Sequence, residues 1–198
     1  TERFTTLSKT ATELLDYAPD KKSKNKNSAP VLSDKEFEEM YQGVLNALDK
    51  KSTLVQDISA ANAEIERIKA WGEFSPAELK EAGYDLHFYR LGKREYEMAV
   101  QDESVQMVRL ASIDKMDPVA VIWSLPATIP AAEFAIPEKG IDELTKEIED
   151  SQKQIAECEE VFKKAAVYES SFQVQMLKAQ NAENYSSASE TAESDEDF

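Results

Sequence analysis

"KAWGEFSPAELKEAGYDLHFYR" occupies residues 69–90, and a helical pattern that has run unbroken stops inside it. Trp71 and Gly72 close that run. Ser75 then stands where an N-cap would, Pro76 suits the first helical position, and Glu78 completes a capping box. Gly83 suits the left-handed residue that follows a helix end. Residues 84–91, YDLHFYRL, are rich in aromatic and aliphatic side chains, which predicts a strand. A long helix, a joint and the start of a small mixed fold therefore meet in one short stretch.

Upstream, Ser33 and Glu36 form a capping box. The track Phe37, Tyr41, Val44, Leu48, Lys51, Val55, Ile58, Asn62, Ile65 steps by four and three, the period of a coiled-coil seam. Lys51 and Asn62 interrupt it; such residues fix register or lie at a wet edge. Residues 33–70 are read as coiled-coil helix one, about 55 Å long at about 1.5 Å per residue. Downstream, Ile141, Leu144, Ile148, Ser151, Ile155, Cys158, Phe162, Ala165, Glu169, Phe172 and Met176 repeat the alternation. Residues 138–182 are read as the returning coiled-coil helix. A narrow apolar seam needs a partner, and the other helix of the same chain is the nearest. Pairing with a different protein is the competing option.

Between them, residues 71–137 read as a small α/β lobe. KREYEMA suggests a brief helix, and SVQMVRLASI (104–113) alternates as a half-buried strand does. PVAVIWSL (118–125) is apolar enough for a central strand, and FAIP (134–137) suits a short edge strand closed by proline. The expected fold class is thus α+β: a long antiparallel two-helix coiled-coil hairpin carrying a small α/β globular lobe at its tip. Residues 1–18 carry Phe4, Leu7, Ala11, Leu14 and Leu15 at helical spacing, a short amphipathic helix. Residues 19–32, with PDKKSKNKNSAP, read as a flexible basic loop, and residues 183–198 as an acidic disordered tail.

Lys and Arg total 23 against 39 Asp and Glu, a net charge of −16. That balance argues against a nucleic-acid binder, which needs a basic face for phosphates, and disfavours an anionic membrane surface. It suits a basic partner protein or plain solubility. Cys158 is the single cysteine, so no internal disulfide and no CxxC pair exists; on the seam between Ile155 and Phe162 it reads as a small buried apolar residue. His87 is the single histidine, which rules out a histidine cluster for metal. Gly43, Gly72, Gly83, Gly92 and Gly140 are too far apart to form a phosphate-cradling loop. No catalytic, cofactor-binding or metal-binding residue is therefore expected, and no small-molecule substrate. Tyr84, Phe88, Tyr89, Tyr96, Trp71 and Trp123 are read as lobe core. No run approaches the roughly 18 apolar residues of a membrane span, and no signal peptide is visible. A start without methionine and an acidic end are what an excised piece of a longer protein would show.

The order of elements around Trp71, Gly72, Phe74, Pro76, Leu79 and Gly83, followed by LHFYRL, resembles the cytoplasmic N-terminal half of subunit I of V/A-type rotary ATPases, the V-ATPase a-subunit family. The resemblance spans residues about 35 to 180. It implies a non-catalytic stator arm that links the peripheral stalks of the catalytic head to the membrane sector of a proton- or sodium-translocating ATPase or ATP synthase. Peripheral-stalk subunits and the membrane half of the same parent subunit are the implied partners. The cytoplasmic side of the membrane is the implied location. The six residues would form the joint between lobe and arm, and stalk-binding residues would lie on the 71–137 lobe. The family's own N-terminal start, its membrane-proximal lobe and its membrane half are not matched here, so no residue is assigned to ion transport. The alternative is an unrelated coiled-coil adaptor or chaperone-like arm whose partner lies along the helices.

Overall fold

A computed structural model describes residues 2–19, 29–83, 86–103, 105–109, 117–122, 129 and 131–196; at 117, 118, 120–122 and 190–196 it describes the backbone alone. The described chain is mostly helical with one small antiparallel sheet. In order the elements are α1 (Glu2–Leu14), α2 (Asp34–Ile68), α3 (Pro76–Glu81), β1 (Leu86–Leu91), α4 (Lys93–Val100), β2 (Gln106–Arg109), β3 (Asp117–Ile122), β4 (Glu133–Phe134), α5 (Ile141–Ala166) and α6 (Glu169–Glu196). Short 3-10 turns extend α1 over Leu15–Tyr17 and α2 over Lys69–Trp71. The chain divides into two compact units, residues 1–55 with 153–198 and residues 56–152.

In the first unit the apolar stripes of four helical segments converge. Leu7 and Leu14 of α1, Phe37, Tyr41 and Val44 of α2, Cys158, Phe162 and Ala165 of α5, and Phe172 of α6 are all buried in one cluster. Phe172 meets Phe37 edge-on at 5.0 Å and Tyr41 at 6.1 Å, the T-shaped geometry that ring quadrupoles favour. α1 packs on α6. The seam is thus closed here by an extra helix and not by a helix pair alone. Its polar contacts follow the caps. Ser33 Oγ accepts from the Glu36 N–H at 3.2 Å. Asp34 Oδ1 accepts from Lys178 at 2.7 Å and Gln175 at 2.8 Å, which holds its carboxyl below the usual range. The Leu32 N–H donates to Ser171 Oγ at 3.0 Å, so the last residue of the expected flexible loop is anchored; residues 20–28 of that loop lie outside the described residues.

Lys51, one of the two interruptions of the seam, has a structural reason. Its Nζ donates to Tyr17 Oη at 2.9 Å, lies 3.6 Å from Glu159, and sits 5.9 Å from the Phe162 ring. The hydrogen bond to Tyr17, reinforced by Glu159, raises the Lys51 ammonium above its ordinary value against its partial burial. A folded-state value raised above the unfolded one gives stability that is complete below the ordinary lysine pKa and is lost as pH rises through the folded value. Between pH 10 and 12 the melting temperature of the wild type should therefore fall faster than that of Lys51→Met. Parallel curves would show that the pair adds no pH-dependent stability.

Two expectations for the C-terminal third are corrected. The single returning helix of 138–182 is two helices, α5 and α6, with a turn at Val167 and Tyr168 where the Tyr168 N–H reaches back to the Ala165 oxygen at 3.0 Å. A β-branched residue followed by an aromatic is a weak point in a helix. The break also resets the buried face: Glu169, expected on the seam, is exposed, whereas Ser171, Phe172 and Gln175 are buried. The tail expected to be disordered from residue 183 continues α6 as far as Glu196. Charge suggested disorder, but its Ala and Glu residues are helix formers, and propagation from an anchored helix adds residues without a new nucleus.

In the second unit the strands run in the order β2-β3-β1-β4, every pair antiparallel. Strand β1 pairs with β3 over its whole length, Phe88 opposite Ala120 and Tyr89 opposite Val119. The strand expected at 118–125 is internal, as its apolar run suggested, and is described only to Ile122; Trp123 lies outside the described residues. β2 covers Gln106–Arg109, with Ser104 and residues 110–116 of the expected strand not described. β4 is an edge strand of two residues, Glu133 and Phe134, shorter than expected because Ala135 and Ile136 leave the ladder before buried Pro137. LHFYRL does not alternate, and the reason is that both its faces are covered. Leu86 and Phe88 enter a cluster with Ile68, Trp71 and Leu144, while Tyr89 and Leu91 enter another with Ala99 and Val119. Tyr84 and Asp85, the expected start of that strand, lie outside the described residues.

Candidate functional site

The C-terminal end of α2 is where the second unit concentrates its aromatic side chains. Ile68 is fully buried and the chain tightens into the 3-10 turn Lys69–Trp71. Gly72 follows with φ 75°, a left-handed conformation in which a Cβ is strained, so the turn after Trp71 depends on glycine. Trp71 is buried, with ring centroids 5.0 Å from Phe88 and 5.3 Å from Phe134; Phe74 lies 5.4 Å from Phe88. Helix end, central strand and edge strand thus share one aromatic cluster, to which Leu144 of α5 also belongs.

Of the six residues singled out from sequence, Trp71 and Phe74 are in this cluster. Ser75 Oγ caps α3 by accepting from Glu78 N–H at 3.3 Å, and Pro76 occupies the first helical position behind it, half-buried. Leu79 is half-buried and lies outside the cluster. Gly83 is exposed with φ 75°, just beyond the helix end.

Four further residues meet at the joint; from sequence Phe88 is expected in the lobe core and Phe134 on an edge strand, and no joint role is expected of Arg67 or Gly140. Arg67 lies 4.3 Å from the centre of the Phe134 ring, donates to the Ala135 oxygen at 3.0 Å, and binds Glu64 through its Nε at 2.9 Å. The Glu64 hydrogen bond raises the guanidinium further and lowers the Glu64 carboxyl. Phe88 and Phe134 supply the rings that meet Trp71. Gly140, the residue before α5, is buried, and a Cβ built on it collides with the backbone oxygen of Phe74. The signal for Gly140 was available as a glycine directly before a helix start; those for Arg67 and Phe134 depend on pairing that only tertiary structure creates.

The Trp71 Nε1 and the Tyr89 hydroxyl are buried without a hydrogen-bond partner. Burial, with the negative charge of Glu133 beside it, raises the Tyr89 phenol above its ordinary value. His87 hydrogen-bonds Glu133 across the β1–β4 edge through Nδ1. Cys158 is buried among apolar side chains. Among the described residues no group of three or more His, Cys, Asp and Glu could hold a metal ion, and no helix is long and apolar enough to cross a membrane.

A groove of about 480 Å³ opens in the same unit between residues 57–64 of α2 and 144–151 of α5. Ile58, Ala61 and Ile148 are half-buried along it. Asn62, the second interruption of the seam, is exposed. No family model matches the chain, and no curated protein matches it.

Proposed function

We propose that this chain is a non-catalytic stator arm of a V/A-type proton- or sodium-translocating rotary ATPase, linking the peripheral stalks to the membrane sector. The observation that carries the reading is the Trp71 cluster. Ile68 at the end of α2, Leu144 near the start of α5, and Phe88 and Phe134 of the sheet form one apolar core. Two helix ends embedded in the core of a small sheet make a joint that passes force between them without chemistry. The finer architecture, an antiparallel coiled-coil hairpin with the lobe at its tip, is supported within each unit: Lys51 of α2 lies by Glu159 of α5 in one, and Ala61 lines the same groove as Leu144 in the other. The cytoplasmic face of the membrane is the location that accompanies this function.

Calorimetric titration of the purified chain with the peripheral-stalk heterodimer of the same organism tests it. Saturable binding at tens of micromolar and low salt is expected, weakened by charge reversals on the 71–137 lobe, since charged rims act on encounter and specificity. Absence of binding overturns the reading. A second reading, a coiled-coil adaptor with its partner along the helices, is favoured by the exposed Leu177 and Tyr185 of α6. Under it, partner binding survives replacement of residues 72–136 by a short turn; under the first it does not.

A further inference from the structure

We propose that the groove between α2 and α5 in the second unit seats an amphipathic helix of a partner protein, with an apolar face flanked by Lys or Arg. The first unit shows what this seam lacks. There α1 contributes Leu7 and Leu14 to the cluster, and Phe37 and Val44 of α2 are fully buried. In the second unit no described helix plays that part, and Ile58 and Ile148 stay half-buried, while half-buried Ala61 packs against the Trp71 cluster at one end of the groove. Ile58 and Ala61 of α2 and Leu144 and Ile148 of α5 line the groove at three- and four-residue spacing, so they offer a line of contacts and not a point. An apolar stripe on a third helix is the complement of such a line.

Charge selects the kind of helix. Asp57 and Glu64 line the α2 wall, and Glu147 and Asp150 the α5 wall. Among the described residues Lys139 is the one cation lining the groove, and it bonds to Glu147. Four carboxylates against Lys139 and the Arg67 paired with Glu64 still leave the rim net acidic, which repels an acidic occupant and attracts a basic one. A second copy of this chain, at −16, is thereby disfavoured. The proposal stands on this geometry alone and does not depend on the stator reading.

The test uses the full chain and a fluorescent synthetic helix with leucines on one face and lysines beside them. Anisotropy titration should give saturable binding, lost with a peptide of the same composition in scrambled order. Asp57→Lys with Asp150→Lys should weaken it at least about tenfold. Asp49→Lys with Glu157→Lys, an equal change of net charge at exposed positions of the first unit, should change it less than about twofold. Ile148→Ser should weaken it without any change of charge. Helical circular dichroism of each variant must match the wild type; if the double variant fails to fold, Asp57→Lys with Ile148→Ser read separately decides. Equal weakening by both double variants would reduce the effect to bulk acidity and overturn the proposal. So would binding of the scrambled peptide, or a dimer in sedimentation that the peptide fails to dissociate.

Discussion

Trp71→Ala is expected to lower the unfolding free energy of the second unit by about 3–5 kcal/mol, the range for removing a large buried aromatic side chain. Trp71 is only 6% exposed and touches Phe88 and Phe134, so little can collapse into the space it leaves. Trp71→Phe should be milder, about 1–2 kcal/mol, because it removes only part of the ring volume and leaves a smaller void. It keeps a ring between Phe88 and Phe134, and the indole N–H it removes has no hydrogen-bond partner to lose. Urea unfolding of the three proteins measures the difference. Near-equal losses in the Ala and Phe variants would mean that the ring contacts contribute little.

The second large effect is a contrast between two glycines. Gly140→Ala should destabilise by about 1–3 kcal/mol, the usual cost of overpacking. Its added Cβ meets the Phe74 backbone oxygen, and backbone between a capped helix and a buried aromatic cluster has little room to move. The same substitution at Gly43, inside α2, should stabilise by about 0.5–1 kcal/mol. There a Cβ meets nothing within 4 Å, and alanine lowers the backbone entropy lost on folding. Opposite shifts in thermal midpoint are therefore expected from one chemical change. A stabilised Gly140→Ala protein would show that the approach of α5 to Phe74 is loose.

Those glycines also mark how far sequence reasoning reaches. Gly72 and Gly83 were legible because each follows a helix end, where a left-handed residue is needed and the neighbours announce it. Gly140 was legible only as a glycine, since the atom it must avoid lies far away in the chain. The same divide separates Ser75, whose cap is local, from Arg67, whose partners are Ala135 and Phe134. It also explains the corrected C-terminal third. Heptad arithmetic carries one face smoothly through Ala165, Glu169 and Phe172, and has no means of registering that Glu169 is exposed while Ser171 and Gln175 join Phe172 in the core.

By itself the sequence determined most kinds of element and their order, though not the break between α5 and α6 or the helical continuation past residue 183. Cap residues, the three-and-four spacing and the aromatic run at 86–91 are local, and local backbone preference with side-chain periodicity suffices to set them. It also bounded the chemistry, through one histidine, one cysteine, scattered glycines and a large acidic excess. Only the tertiary structure decided that α1 helps to close one part of the seam, that Lys51 is held by Tyr17 and Glu159, and that the helix ends share a core with the sheet. It alone decided that Ile58 and Ile148 remain half-buried between acidic walls. The reason is physical: a heptad states which face is apolar, but what covers that face depends on segments distant in the chain, and their approach leaves no periodic mark.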